Sequence, residues 1–286
     1  MWTFDIYTPF IVPAAALLGL LFGSFLNVVI HRIPIMMERD WTLFAKEHLG
    51  LKPSAKEQQP FNLMKPDSHC PECGEKIKAR HNIPVISYLL LGGKCSLCRT
   101  HISLRYPLVE LLTAAAFAVV AWQYGASWIT LGGWVFTAFL IALAFIDADT
   151  HYLPDSLTLP LVWLGLLFNF ADGMVALQSA VLGAVCGYAC LWLLCAAYRL
   201  LTGQTGMGNG DFKLLAALGA WLGVGVLPVL VFAASLIGIM GAVLTKTAKG
   251  QAFAFGPSLA LAGWIIFIAY EPLQQLTDWW LNASGL

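Results

Sequence analysis

The sequence predicts an all-α polytopic membrane protein of about eight transmembrane helices, with a small zinc-binding cytoplasmic domain between the first and the second. Three observations carry that prediction. Of 286 residues, 59% are hydrophobic and 11% charged, less than half the charge of an ordinary soluble domain. The apolar residues gather into long runs almost free of charge. The charge is concentrated in turn: residues 31–105 hold 12 of the 16 Lys and Arg and 7 of the 16 Asp and Glu, a local excess of +5 by subtraction. A soluble globular enzyme is thereby excluded. A formal net charge of zero offers no uniform basic field, so nucleic acid is not an expected partner.

The first run, FIVPAAALLGLLFGSFLNVVI at 10–30, is uncharged over 21 positions. At about 1.5 Å per residue it is long enough to cross a hydrocarbon core of roughly 30 Å. A cleaved signal peptide is the competing reading, but residues 1–9 contain Asp5 and no Lys or Arg. Further runs lie at 107–124, 128–146, 157–170, 174–198, 212–226, 229–245 and 254–270. Eight spans with the N-terminus outside put 31–105, 147–156, 199–211 and 246–253 in the cytoplasm. Every Lys and Arg then lies on that side or at its span ends, including Arg199, Lys213, Lys246 and Lys249, as expected for cytoplasmic flanks. The C-terminus ends outside, with Trp279 and Trp280 at the lipid interface. Three parts follow: 1–30 as first span, 31–105 as cytoplasmic domain, and 106–286 as a seven-span domain.

Along the first span, Ala15, Gly19, Gly23, Asn27 and His31 recur every fourth residue and share one helix face. Small residues in that pattern let a second helix approach closely. Packing is the first reading of the glycines and a site the second, whereas Asn27 and His31 stand at the cytoplasmic end, where a polar pocket is easier to build.

The cytoplasmic domain contains Cys70-x2-Cys73 and, after 21 further residues, Cys95-x2-Cys98. Two such knuckles fix four thiolates tetrahedrally around zinc. Pro71, Gly74, Gly92 and Gly93 supply the tight turns. A cytoplasmic location disfavours disulfides, and four thiolates leave no open position for catalysis, so the zinc is read as structural. Cys186, Cys190 and Cys195 read as small apolar residues of a span. No two of the six histidines have helical metal-ligand spacing.

Carboxylates inside a span are costly and mark functional sites. Glu110, Asp147 and Asp211 fall at such positions. Asp149 reads as a loop residue, Asp155 as a helix N-cap after Pro154, and Asp172 as an exported loop residue. Asp211 sits in Gly206-Met207-Gly208-Asn209-Gly210-Asp211-Phe212-Lys213, where the glycines let an extended backbone approach the acid. Gly208, Gly210 and Lys213 are read as positioning the backbone and substrate around it. A phosphate-cradling loop is the alternative, but the run lacks the terminal Gly-Lys-Ser/Thr and opens a membrane helix with no strand before it. Asp147 and Asp211 both fall at cytoplasmic span ends, where two carboxyls at one depth can share a proton as an aspartic peptidase dyad does.

The sequence resembles the type IV prepilin peptidases, bifunctional leader peptidases and N-methyltransferases of the bacterial inner membrane. The resemblance rests on GSFLNVVIHRIP at 23–34, both Cys pairs, NIPVISYLLLGGKC at 82–95, ISLRYPLVELLT at 102–113, IDADTHYLPD at 146–155 and GMGNGDFKLLAALGAWLG at 206–223. It implies that Asp147 and Asp211 form the catalytic dyad, cleaving prepilins and pilin-like secretion proteins after the leader. It also implies methylation of the new N-terminus by S-adenosylmethionine, with Gly23, Asn27, His31, Arg105 and Glu110 as candidate cofactor-binding residues. No strand followed by a Gly-x-Gly turn supports that second activity independently. The rival from another class is a transporter or channel with a zinc-stabilised loop, in which the two aspartates relay protons.

Overall fold

The structure, a computed structural model, describes residues 8–54, 57, 59–204, 206–244, 254–273 and 275. Residues 1–7, Lys246, Lys249, Trp279 and Trp280, on which part of the expected topology rests, lie outside them. Among the described residues there is no strand beyond two isolated β-bridges. The described residues hold nine α-helices: α1 (Thr8–His48), α2 (Ile86–Leu90), α3 (Arg105–Tyr124), α4 (Trp128–Thr150), α5 (Asp155–Phe170), α6 (Leu177–Thr202), α7 (Asn209–Leu222), α8 (Leu227–Leu244) and α9 (Gly256–Ile268).

Each of the eight apolar runs holds one helix among the described residues, and five of the helices, α1, α3, α4, α6 and α8, are long and apolar enough to cross a membrane. The other three, α5, α7 and α9, have 16, 14 and 13 residues. At about 1.5 Å per residue each falls short of a bilayer core of roughly 30 Å. Five helices therefore have spanning length, against the eight expected. Large apolar side chains such as Phe232, Ile239 and Val243 on α8 face outward, as lipid-facing residues do.

The chain forms two compact units, residues 1–121 and 122–286. In the first, α1 runs for 41 residues, well past the expected end of the span, through Pro34 and into the charged region. The segment after it folds back: the buried Arg32 guanidinium donates to the carbonyls of Asn62 and Pro66 at 2.9 and 2.6 Å, and Arg39 lies 4.4 Å above the Phe61 ring. Small residues join α1 to α3. A Cβ on Gly19 would stand 2.6 Å from Ala114 Cα, and one on Gly23 2.6 Å from Glu110 Cα. Asn27 continues the seam by donating to the Tyr106 carbonyl at 3.1 Å.

In the second unit α7 is the hub. Every residue from Phe212 to Leu222 is buried except the partly exposed Lys213, and α5, α6 and α9 pack around the helix. A helix apolar on all sides belongs inside protein, which is why 14 residues suffice here. Glycines bring α6 onto it: a Cβ on Gly183 would stand 2.2 Å from the Gly219 carbonyl oxygen. Trp221 on α7 donates its indole N–H to the Leu161 carbonyl at 2.9 Å, and its ring centroid lies 4.9 Å from those of Phe136 and Phe168. Asn169 staples the ends of α5 and α7 with four hydrogen bonds, donating to the carbonyls of Ala220 and Trp221 and accepting from the amides of Met174 and Val175.

Candidate active site and metal centre

Asp147 lies in the last turn of α4, which closes at His151 in a left-handed conformation, φ 55°, with the His151 amide on the Asp147 carbonyl at 2.9 Å. Asp211 lies in the first turn of α7, whose cap is Gly208. Both side chains are buried, Asp147 at 4% exposure and Asp211 at 9%. Asp147 Oδ2 accepts the Gly256 amide at 2.9 Å, whereas Asp211 Oδ1 is buried with no hydrogen-bond partner among the described residues. Gly210, next to Asp211, packs against Leu153 in the link that follows α4, which brings the ends of α4 and α7 together. The last turn of α4, the first of α7 and the first of α9 thus converge on two acids.

The three flanking residues differ in what they do. A Cβ on Gly208 would meet nothing nearer than Asp211 Oδ2 at 4.0 Å, so this side of the acid is open. At Gly210 a Cβ would stand 2.8 Å from Leu153 Cβ, so this glycine lets α7 start against the link between α4 and α5. Lys213 grips both oxygens of Asp155, at 2.6 and 2.8 Å. Asp155 was expected to cap α5. It is instead the first helical residue, because the extended Pro154 takes the cap position, and its carboxylate serves as the partner of Lys213.

Gly23, Asn27 and Glu110 belong to the α1–α3 seam. Glu110, 8% exposed, accepts the Val85 amide at 2.8 Å, and Val85 is a β-branched residue held at φ 59°. The space at Gly23, the Nδ2 group of Asn27 and Oε2 of Glu110 thus each make a contact within the chain. His31 is exposed and Arg105 partly so, at the end of that seam. Residue types alone gave no sign of Gly256 or Arg32: the first acts through its backbone amide, and the second reads as one of many loop cations.

The sulfurs of Cys70, Cys73, Cys95 and Cys98 all lie within 4.8 Å of one another, forming a group able to hold a metal ion. Each pair sits in the same turn. The Cys70 amide donates to the Glu75 carbonyl and the Cys95 amide to that of Thr100, and each turn passes through a left-handed residue, Gly74 or Arg99. The Thr100 hydroxyl, followed by its backbone amide, pushes the Cys98 thiol down to about 6. Cys73 receives a hydrogen bond from the Glu75 backbone, yet desolvation and the crowding of Cys70, Cys98 and Cys95 push it up to about 12. Four sulfurs this close cannot all carry negative charge without a cation among them.

Residues 17–124 match the bacterial peptidase A24 N-terminal domain, and residues 134–243 match the type IV leader peptidase family. The chain is 65% identical over 278 residues to the prepilin leader peptidase/N-methyltransferase of Neisseria gonorrhoeae, covering 97% of each chain. It is 48% identical to the protein of that name from Pseudomonas aeruginosa, over 96% of this chain and 94% of the relative. It is also 48% identical to the one from Aeromonas hydrophila, over 93% and 92%. No solved structure matches it.

Proposed function

The chain belongs to the type IV leader peptidase family, and from that premise we propose that it is a bifunctional enzyme, removing the leader of prepilins and pilin-like precursors and then methylating the new N-terminus. The observation that carries the peptidase half is the pair of buried carboxyls at the last turn of α4 and the first turn of α7. Two such groups ionise one at a time, so one proton is shared between them. One aspartate takes a proton from water as that water attacks the scissile carbonyl, while the protonated neighbour donates to the carbonyl oxygen. The tetrahedral intermediate then collapses as the proton passes to the leaving amine, and no acyl-enzyme forms. Gly208 leaves room beside Asp211 for an extended substrate backbone, and the Lys213–Asp155 pair fixes the first turn of α7 against that of α5.

S-adenosylmethionine, the methyl donor implied by the second activity, supplies an electrophilic methyl group to the freed amine. Gly23, Asn27 and Glu110 shape the seam of the first unit, and His31 and Arg105 are the polar groups at its end suited to meet the donor's charged portion. The four cysteines fit structural zinc. A tetrahedral site with Zn–S bonds of about 2.3 Å places sulfurs about 3.8 Å apart, and Cys70 Sγ and Cys98 Sγ are 3.7 Å apart. A prepilin has a basic leader and an apolar helix, so its cleavage point lies where the bilayer meets the cytoplasm. Placing the enzyme in the inner membrane with both termini outside brings Asp147 and Asp211 to that face.

Purified full-length protein in detergent, given a synthetic prepilin, tests this directly. Asp147→Asn and Asp211→Asn preserve size and remove the shared proton, so each is expected to lower cleavage by more than a hundredfold without unfolding the protein. Both variants should still methylate a pre-cleaved pilin. Normal cleavage by Asp211→Asn overturns the peptidase assignment.

A further inference from the structure

The first turn of α9 is tied to the dyad through one amide. Gly256 and Pro257 begin this helix, and Phe255 at the cap position offers no side-chain hydrogen bond. Amides of a helix's first turn have no partner within the helix. Pro257 has no N–H, and the amides of Ser258 and Leu259 both reach the Phe255 carbonyl, at 3.0 and 3.1 Å. The Gly256 amide instead donates to Asp147 Oδ2 at 2.9 Å, across 109 residues of chain. Asp147 thus supplies from α4 the cap that α9 lacks.

The missing side chain matters as much as the amide. A Cβ on Gly256 would stand 2.6 Å from Asp147 Oδ2, 3.0 Å from its Cγ and 3.2 Å from its Cβ. No left-handed backbone requires glycine at this position, since Gly256 is absent from the positive-φ residues. What requires it is the space filled by the Asp147 carboxylate. The three atoms nearest such a methyl group all belong to the Asp147 side chain, and the closest is its terminal oxygen, so the carboxylate is what shifts.

We infer that Gly256 is a positioning residue of the peptidase, fixing the Asp147 carboxylate in the dyad by its amide and by the absence of a side chain. This rests on the peptidase reading above and deepens it. One dyad member is anchored by the backbone of a third helix, while the other, Asp211, keeps Oδ1 without a partner among the described residues. The anchored acid holds the geometry, and the unpartnered oxygen of Asp211 is left for water or the scissile carbonyl.

The test is Gly256→Ala in full-length protein, assayed for prepilin cleavage, for methylation of a pre-cleaved pilin and for thermal unfolding, alone and in an Asp147→Ala background. A displaced carboxylate lowers kcat for cleavage at least tenfold, keeps KM within twofold and leaves methylation intact. The loss in Tm caused by Gly256→Ala should shrink when Asp147 is already alanine, because the clashing atoms are gone. A normal kcat, or an equal loss of Tm in both backgrounds, overturns the inference. If Gly256→Ala alone does not fold, folding of the double variant supports the contact, and its failure to fold shows that glycine serves some other packing need. Failure of the wild-type protein to cleave, or normal cleavage by Asp211→Asn, would count against the peptidase reading itself and is distinguishable from all of these.

Discussion

Two glycines two residues apart do different work around Asp211, and substitution separates them. Gly208→Ala adds a methyl with no contact nearer than 4.0 Å, so the protein should fold normally while substrate meets an obstruction beside the acid. Gly210→Ala drives a methyl into Leu153, and crowding of this kind typically costs about 1–3 kcal/mol. Thermal unfolding should therefore move for the second variant and not the first, whereas the KM for prepilin should rise for the first. Lys213→Met gives a third pattern. Its partner Asp155 is largely exposed, and exposed pairs contribute about 0–1 kcal/mol, so stability should hardly change. Cleavage should fall less than tenfold if Lys213 acts only by bracing α7, and a loss as deep as that of Asp211→Asn would place its amine on the substrate. Glu110 shows the limit of reading single residues from sequence. A carboxylate in a span reads as a candidate ligand-binding group, and in the fold one of its oxygens also holds the amide of the strained Val85. Nothing local to Glu110 announces that second contact, because its partner lies 25 residues away.

At the scale of elements, α7 decides whether Asp211 is presented at all. Its position depends on two contacts remote from the acid: the glycine crossing with α6 and the Asn169 staple from α5. Asn169→Leu would strand two buried carbonyls and two part-buried amides, at a cost of about 1–3 kcal/mol for each group that water cannot reach, and thermal inactivation should occur at correspondingly lower temperature. Gly183→Val would drive α6 off α7, so cleavage should be lost together with stability, unlike the Asp211→Asn variant, which should stay folded. The helical identity of these segments was legible, since long uncharged apolar runs have no other stable form in lipid. Their lengths were legible less well. Thirteen to sixteen apolar residues fit a buried core helix and a short span equally, and only the packing around α7 shows that its shortness reflects enclosure.

For the whole molecule, the metal and the topology are the measurable consequences. Protein purified without chelator should contain about one zinc per chain, and Cys70→Ser should release it, loosen the first unit and impair methylation more than cleavage. Elemental analysis of active, folded protein showing no metal would refute the zinc assignment. Thiol labelling from outside intact cells should reach positions near 125 and 172 but not near 204, and the reverse pattern would invert the orientation. Some features of this protein were set by the sequence alone: helix class, membrane residence, the four-cysteine cluster and the pairing of Asp147 with Asp211 as an expectation. Hydropathy, Cys spacing and the rarity of acids in apolar runs are properties of residue type and short-range order, readable without coordinates. Tertiary structure alone decided the enclosure of α7, the contacts made by Gly23, Asn27 and Glu110, the Lys213–Asp155 bridge and the Gly256 amide on Asp147. These depend on contacts between residues far apart in the chain, and a backbone amide has no residue-type signature by which it could be found beforehand.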